Sequence, residues 1–126
     1  MEFIGNYKFQ IKKEELWKNL NNAEIIKGCI DGCLEFKEIE ENQFRTKINV
    51  KLGPLQAIFQ GLVEIKNIKP TESYSIVASG RAGHLGFAKG IVNVELKEQK
   101  GFTLLEYKAD TQISGKIAQL GARLIE

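Results

Sequence analysis

The strongest constraint in this sequence is an alternation of apolar and polar residues that runs, with short breaks, from residue 34 to residue 113. In FRTKINVKL, for example, Phe44, Ile48 and Val50 alternate with Arg45 and Lys47. A period of two puts successive side chains on opposite faces of a strand, so each segment has one dry face and one wet face. Turn sequences such as KPTES and EQKG separate the segments. The pattern predicts six consecutive antiparallel strands joined by hairpins.

Another strand and two short helices are predicted ahead of this run. Apolar residues alternate from Phe3 to Ile11, which is typical of a half-buried strand. The following segment, KKEELWKNLNNAEIIKG, has its apolar residues at helical spacing. Asn22 can cap a second helix and Gly28 can end it.

The last segment, SGKIAQLGARLIE, predicts an amphipathic helix capped by Ser114, since Ile117, Leu120 and Leu124 recur at intervals of three and four residues. The apolar pattern is still running at Glu126, so we expect the native helix to be longer. Residues 1–126 are thus predicted to form a single α+β domain, a curved seven-stranded antiparallel sheet covered by this helix. Periodicity leaves open whether the space between helix and sheet is a cavity or a filled core.

Composition argues against several classes of protein. The net charge is +2, with 18 basic and 16 acidic residues spread along the chain, so we expect no nucleic-acid partner. Apolar runs are only a few residues long, well below the roughly 20 that span a bilayer. The N-terminus lacks the pattern of a signal peptide. We therefore expect a cytoplasmic protein without a disulfide scaffold.

Two motifs that suggest chemistry are better explained structurally. Cys29 and Cys33 in GCIDGC are too few for a zinc site, and His84 is about fifty residues away, so we expect no metal and interpret the cysteines as small buried residues at a helix-to-strand junction. The glycine-rich stretch SGRAGHLGFAKG precedes a strand rather than a helix, which disfavours a phosphate loop and favours a bent hairpin. His84 is interpreted as an exposed loop residue.

The predicted faces also bear on catalysis. Six acidic residues fall on wet faces, namely Glu2, Glu35, Glu64, Glu95, Glu106 and Asp110. The polar groups on dry faces are hydroxyls, those of Tyr7, Thr46, Tyr74, Thr103, Tyr107 and Thr111. Such an interior suits an apolar ligand with one or two hydroxyl contacts, although Tyr and Thr are also ordinary sheet residues. A basic stripe of Arg45, Lys47 and Lys51 either meets an acidic partner or anionic lipid, or is simply solvated.

Four stretches together resemble the CoxG family of carbon monoxide dehydrogenase subunits, which lies within the START-like, helix-grip (SRPBCC) superfamily of birch pollen allergen and lipid-transfer domains. They are CIDGC, VKLGPLQAIFQG, GFAKG and GKIAQLGARLI, and the resemblance covers nearly the whole chain. Family members typically have proline where this chain has Asp31, and they usually continue further in the C-terminal helix.

The resemblance implies a helix-grip fold with a hydrophobic cavity, accessory to a molybdenum-containing carbon monoxide dehydrogenase or related hydroxylase. It also implies a quinone or lipid-like ligand, with no covalent cofactor, and peripheral contact with the inner face of the cell membrane. We expect the ligand to be lined by Phe59, Val63, Ile76, Val92, Val94, Tyr107, Ile113, Ile117, Leu120 and Leu124, with Phe87 as a lid.

Two alternatives to a binding module remain at this stage. One is an enzyme of the cyclase or aromatase kind, found on the same fold, with Tyr107 or His84 as the acid. The other is a protein-interaction domain with a filled core.

Overall fold

The computed structural model describes residues 2–52, 54–116 and 118 of the chain. The elements in chain order are β1 (Glu2–Phe9), α1 (Lys13–Leu20), α2 (Ala23–Cys29), β2 (Cys33–Glu40), β3 (Gln43–Leu52), β4 (Leu55–Lys69), β5 (Ser73–Arg81), a 3₁₀ turn (Gly83–Leu85), β6 (Phe87–Gln99) and β7 (Phe102–Ser114). The strands form one antiparallel sheet in the order β1-β7-β6-β5-β4-β3-β2. The six-strand run and the N-terminal strand are therefore confirmed.

The sheet has an inner face, which α1 covers in part, and an outer face. Leu16 of α1 is 4% exposed and packs against the inner face in a cluster with Tyr74, Val94, Leu96 and Leu105. The edge of the Trp17 ring meets Tyr74 with 5.4 Å between ring centroids, an arrangement that aromatic pairs favour. We call the five clustered residues the packed end of the inner face, because they form its hydrophobic core.

Two polar contacts fix the connections around α1 and α2. The fully buried Thr103 hydroxyl donates to the Ile11 carbonyl over 2.8 Å, which ties the segment before α1 to β7. The Asn22 side chain accepts hydrogen bonds from the Glu24 and Ile25 amides at 3.0 and 3.4 Å. The predicted cap of α2 is thus confirmed, and it satisfies amide groups that the first helical turn would leave unpaired.

Glycine permits a close approach of two neighbouring strands at the centre of the sheet. Gly61 of β4 pairs with Gly80 of β5. A Cβ on Gly61 would collide with the Ser79 carbonyl oxygen and lie only 2.6 Å from the Gly80 Cα, so β5 backbone occupies the place of a side chain. The sheet is folded over its inner face here in a way that any other residue would oppose.

The prediction of a loop over residues 80–90 is wrong in extent. Gly80 and Gly90 lie inside paired strands, opposite Ala88 and Ala78 respectively, and β6 begins at Phe87 rather than at Ile91. Only the short segment between β5 and β6, with its 3₁₀ turn, is a loop. Glycine within a strand, where neighbouring backbone approaches closely, gives the same sequence signal as glycine in a turn.

Smaller differences concern the ends of two elements. The register shifts between Cys33 and Glu35, and Leu34, predicted on the dry face, is 52% exposed because of this irregularity in β2. Ser114 ends β7, and the amide of Ala118 donates to the Gly115 carbonyl over 3.1 Å instead. The position of the predicted C-terminal helix beyond this turn lies outside the described residues. No helix among residues 2–52, 54–116 and 118 could span a bilayer.

Replacing Gly61 should destabilise the protein much more than replacing a glycine with free space around it. We expect Gly61→Ala to lower the free energy of unfolding by about 2 to 3 kcal/mol, since its methyl group forces two backbones apart. Urea denaturation measures this change. Gly28 lies in α2 with nothing within 4 Å of its Cβ position, so Gly28→Ala is the control and should raise stability by about 0.5 to 1 kcal/mol. Equal effects of the two variants would contradict the close approach.

Candidate functional site

Small residues form the floor of the inner face away from the packed end. Gly61, Gly80 and Ala88 are paired side by side across β4, β5 and β6. In the next row, Ala78 is opposite Gly90. We call these five residues the small-residue floor. Because none of them carries more than a methyl group, the sheet leaves room above its inner face that an ordinary core would fill.

Larger apolar residues border this floor on the same face. The register puts Val63 opposite Ala78, Ile76 opposite Val92, and Ala88 opposite Ile113. Phe59 lies at the end of the floor near the β5–β6 loop, packed against Ala57 and Ala82. The side chains of Phe59, Val63, Ile76 and Val92 are half-buried although their strands lie within the sheet. The structure therefore brings these predicted site residues together on one apolar surface.

Other predicted site residues have different surroundings. Val94 is 5% exposed in the packed end. Tyr107 packs beside it, and Ile113 is 45% exposed near the end of β7. Ile117, Leu120 and Leu124 lie outside the described residues.

Phe87 does not share a face with the other predicted site residues. It pairs with Arg81, whose guanidinium carbon lies 5.7 Å from the centre of the Phe87 ring. By strand alternation both residues belong to the outer face, as does Ile91. The residue that packs with Phe59 from this loop is Leu85, which the sequence analysis missed. No alternation marks Leu85, because it lies in the 3₁₀ turn.

The same loop meets the start of the C-terminal segment. Gly115 has a φ of +90°, and a Cβ there would lie 2.7 Å from the Gly86 Cα and 2.9 Å from the Leu85 carbonyl oxygen. The left-handed conformation and the close contact both favour glycine. Two family motifs, GFAKG and GKIAQLGARLI, thus touch at this point.

The polar groups of the inner face are mainly the predicted hydroxyls, with one carboxylate. Glu38 pairs with Phe44, so it points to the inner side. It is exposed, at the edge of the sheet, in an open cleft of about 530 Å³ beneath α1 and α2, which is lined by Trp17, Lys18, Asn21, Asn22, Ala23, Glu38 and Phe44. Its parity with Phe36 is the sequence signal that could have placed it. The cleft is distant in register from the small-residue floor.

Three groups considered for chemistry lie in unremarkable positions. His84 is exposed in the 3₁₀ turn. Cys29 ends α2 and is exposed, contrary to the expected burial, while Cys33 is half-buried with its thiol 3.4 Å from the Glu35 carbonyl oxygen. Within the described part of the chain, no three His, Cys, Asp or Glu side chains gather as a metal site requires.

The outer face carries a concentration of positive charge. Six basic residues share neighbouring rows at the end near the β5–β6 loop, and we call them the basic band: Lys37, Arg45, Lys47, Lys51, Arg81 and Lys89. Glu35 bonds to Arg45, with 3.0 Å from its Oε1 to both Nε and Nη2. Exposed Ile58 and Leu62 lie among these charges. An open cleft of about 490 Å³ runs beside Glu35 and Leu62.

Comparison with known proteins now identifies the family. The family model for the CoxG subunit of carbon monoxide dehydrogenase matches residues 5–126. The chain belongs to the CoxG family. No curated protein matches it. CoxG is named as an accessory subunit, and its family and fold indicate a ligand-binding accessory module.

Solved structures agree with the helix-grip fold. A conserved protein from Geobacillus kaustophilus superimposes with a TM-score of 0.91 at 24% identity, covering 99% of this chain and 82% of that chain. The Mll3558 protein from Rhizobium loti gives 0.70 at 14% identity, covering 98% and 90%. Ara h 8.0201 gives 0.65 at 16% identity, covering 88% and 75%. At such identities the likeness shows the fold alone, and the fold prediction is confirmed.

Burial of Tyr74 in the packed end should make this CoxG-family protein sensitive to alkaline pH. Desolvation raises the pKa of Tyr74 from 10.0 to about 12. Between those values the unfolded chain releases the phenol proton while the folded chain keeps it, so the free energy of unfolding falls as pH rises. We expect wild type to lose about 2 kcal/mol more than Tyr74→Phe between pH 9 and pH 12. Denaturant titrations at several pH values test this, and identical pH dependence of the two proteins would contradict it.

Proposed function

We propose that this CoxG-family protein is a non-enzymatic module that holds a quinone or lipid-like ligand between the inner face and the C-terminal segment. The observation that carries the proposal is the apolar, half-buried surface around the small-residue floor. Burying an apolar tail there gains about 0.8 kcal/mol for each CH₂ group removed from water. Hydroxyls rather than charged groups accompany this surface, which suits a neutral ligand.

The family relationship supports the second part of the proposal, a partner enzyme of the molybdenum carbon monoxide dehydrogenase type. The family takes its name from a subunit of that enzyme. A module that carries an electron acceptor in a shielded site would deliver it to such an enzyme. We further propose that the module contacts the inner face of the cell membrane at its periphery.

Binding explains the site better than the alternative of a cyclase-like enzyme. General acid–base catalysis needs a titratable group within hydrogen-bonding reach of the substrate. Of the two acids considered, His84 is exposed in its turn, away from the apolar surface. Tyr107 does face the inner side, but the inner-face carboxylate of Glu38 is in a different cleft.

Native mass spectrometry of the purified protein, followed by organic extraction, tests the proposal. We expect a quinone or lipid to remain bound in the gentle measurement and to appear in the extract. An empty protein that also fails to bind added quinone would contradict the proposal and favour a filled core. Turnover of an aromatic substrate would instead favour the enzyme.

Substitutions on β5 and β6 locate the ligand. A Cβ at Gly80 would make ordinary contacts, the nearest 3.6 Å away, so Gly80→Val should fold while filling the floor. We expect it to weaken binding of a decyl-substituted quinone by about tenfold, since roughly 1.4 kcal/mol of apolar contact is lost. Val92→Asp should abolish binding, because a carboxylate enters the apolar surface.

The matched control for Val92→Asp is Ile91→Asp. Ile91 is the preceding residue, but it is 49% exposed on the outer face. Fluorescence titration should show wild-type affinity for this variant. Equal loss of binding in Val92→Asp and Ile91→Asp, with both variants folded by circular dichroism, would place the ligand elsewhere.

The basic band supports the peripheral membrane contact. Four to eight basic residues near an anionic surface contribute about 1 kcal/mol each, and here they surround exposed apolar side chains. We expect Lys47→Glu, Lys51→Glu and Lys89→Glu together to abolish flotation with vesicles that contain phosphatidylglycerol. The control makes the same charge change at Lys69, Lys100 and Lys108, which lie outside the band, and should keep flotation. Equal loss in both triple variants would point to net charge alone.

A further inference from the structure

An aromatic pair on the inner face has no role in the apolar surface described so far. Tyr107 of β7 is opposite Gly5 of β1. A Cβ on Gly5 would lie 2.5 Å from the Tyr107 hydroxyl and 2.7 Å from its Cζ, so the Tyr107 ring lies across the backbone of β1. The Tyr7 ring is nearly parallel to it, with an angle of 17° and 5.9 Å between centroids. Gly5 is therefore the gap that lets the two rings align.

The two rings differ in how firmly they are held. Tyr107 packs against the residues of the packed end, which fixes its orientation. Tyr7 is 58% exposed, and Phe3, on the same face, is 41% exposed. One ring of the pair is thus anchored and the other presents most of its surface. This differs from an ordinary core contact, in which both rings would be buried.

The phenol groups are also available for hydrogen bonding. Neither hydroxyl bonds to any residue in the described part of the chain. A phenol that faces an apolar ligand site and lacks a partner costs free energy, whereas one that donates to a ligand oxygen recovers it. Parallel aromatic rings and two hydroxyl donors suit a flat conjugated ring that carries carbonyl oxygens.

We propose that Tyr7 and Tyr107, aligned by Gly5, form the site for the ring of the ligand, with the ring stacked on Tyr7 and its carbonyl oxygens accepting from the phenol hydroxyls. This inference rests on the proposed function and assigns the ligand a conjugated head group rather than a simple acyl chain. Along β7, Tyr107 is six residues from Ile113, which is about 20 Å at the rise of a strand. A tail from the ring would therefore extend over the small-residue floor.

Two probes of matched chain length separate the ring from the tail. One is a 1,4-naphthoquinone with a decyl chain, and the other is decylcyclohexane, which lacks the conjugated ring and its carbonyls. Affinities are measured by competition against a fluorescent fatty acid. For Tyr107→Phe and Tyr7→Leu we expect the quinone affinity to fall about 5- to 10-fold, as loss of one hydrogen bond or one ring contact predicts. Decylcyclohexane affinity should be unchanged.

Tyr74→Phe is the control, because it removes a phenol of the packed end and should leave both affinities at the wild-type value. Wild-type quinone affinity in both Tyr107→Phe and Tyr7→Leu would overturn the ring site while leaving the cavity intact. An equal loss of both probes would also overturn it, since the tail alone would then account for the effect. If wild type binds neither probe, the proposed function fails together with the ring site.

Discussion

The close approach of β4 and β5 at Gly61 is the contact on which the shape of this molecule depends. A side chain there would occupy the space taken by the Ser79 carbonyl. Because the two backbones meet, the sheet folds over its inner face, and the neighbouring positions on that face, Gly80 and Ala88, are small as well. The same constraint that bends the sheet therefore also empties part of its inner surface.

The inner face is consequently divided between two physical tasks. At the packed end, Leu16 from α1 buries large side chains such as Tyr74 and Leu105, which supplies the apolar burial that stabilises the fold. Around the small-residue floor, the apolar residues remain half-buried. A ligand module needs both regions, because a core that filled the whole face would leave no room and one that filled none would not fold.

Alternation in the sequence predicted the strands, their order along the chain and the face of nearly every residue, since these depend on local patterns. Contacts between distant segments were not predictable in this way. Gly90 looked like part of a loop because periodicity cannot distinguish a turn from a strand position opposite Ala78. Phe87 was assigned to the ligand for the same reason, and its partner Arg81 emerges only from the register. The Gly5–Tyr107 contact likewise requires the pairing of β1 with β7.

The contact between Gly5 and Tyr107 has an evolutionary consequence. The two positions are about a hundred residues apart in the chain but share one volume, so neither can change freely while the other stays the same. A relative with a larger residue at position 5 would need a smaller one at position 107, and it would lose the aligned phenols with it. Paired variation at these two sites would thus separate family members by the shape of the head group they accept.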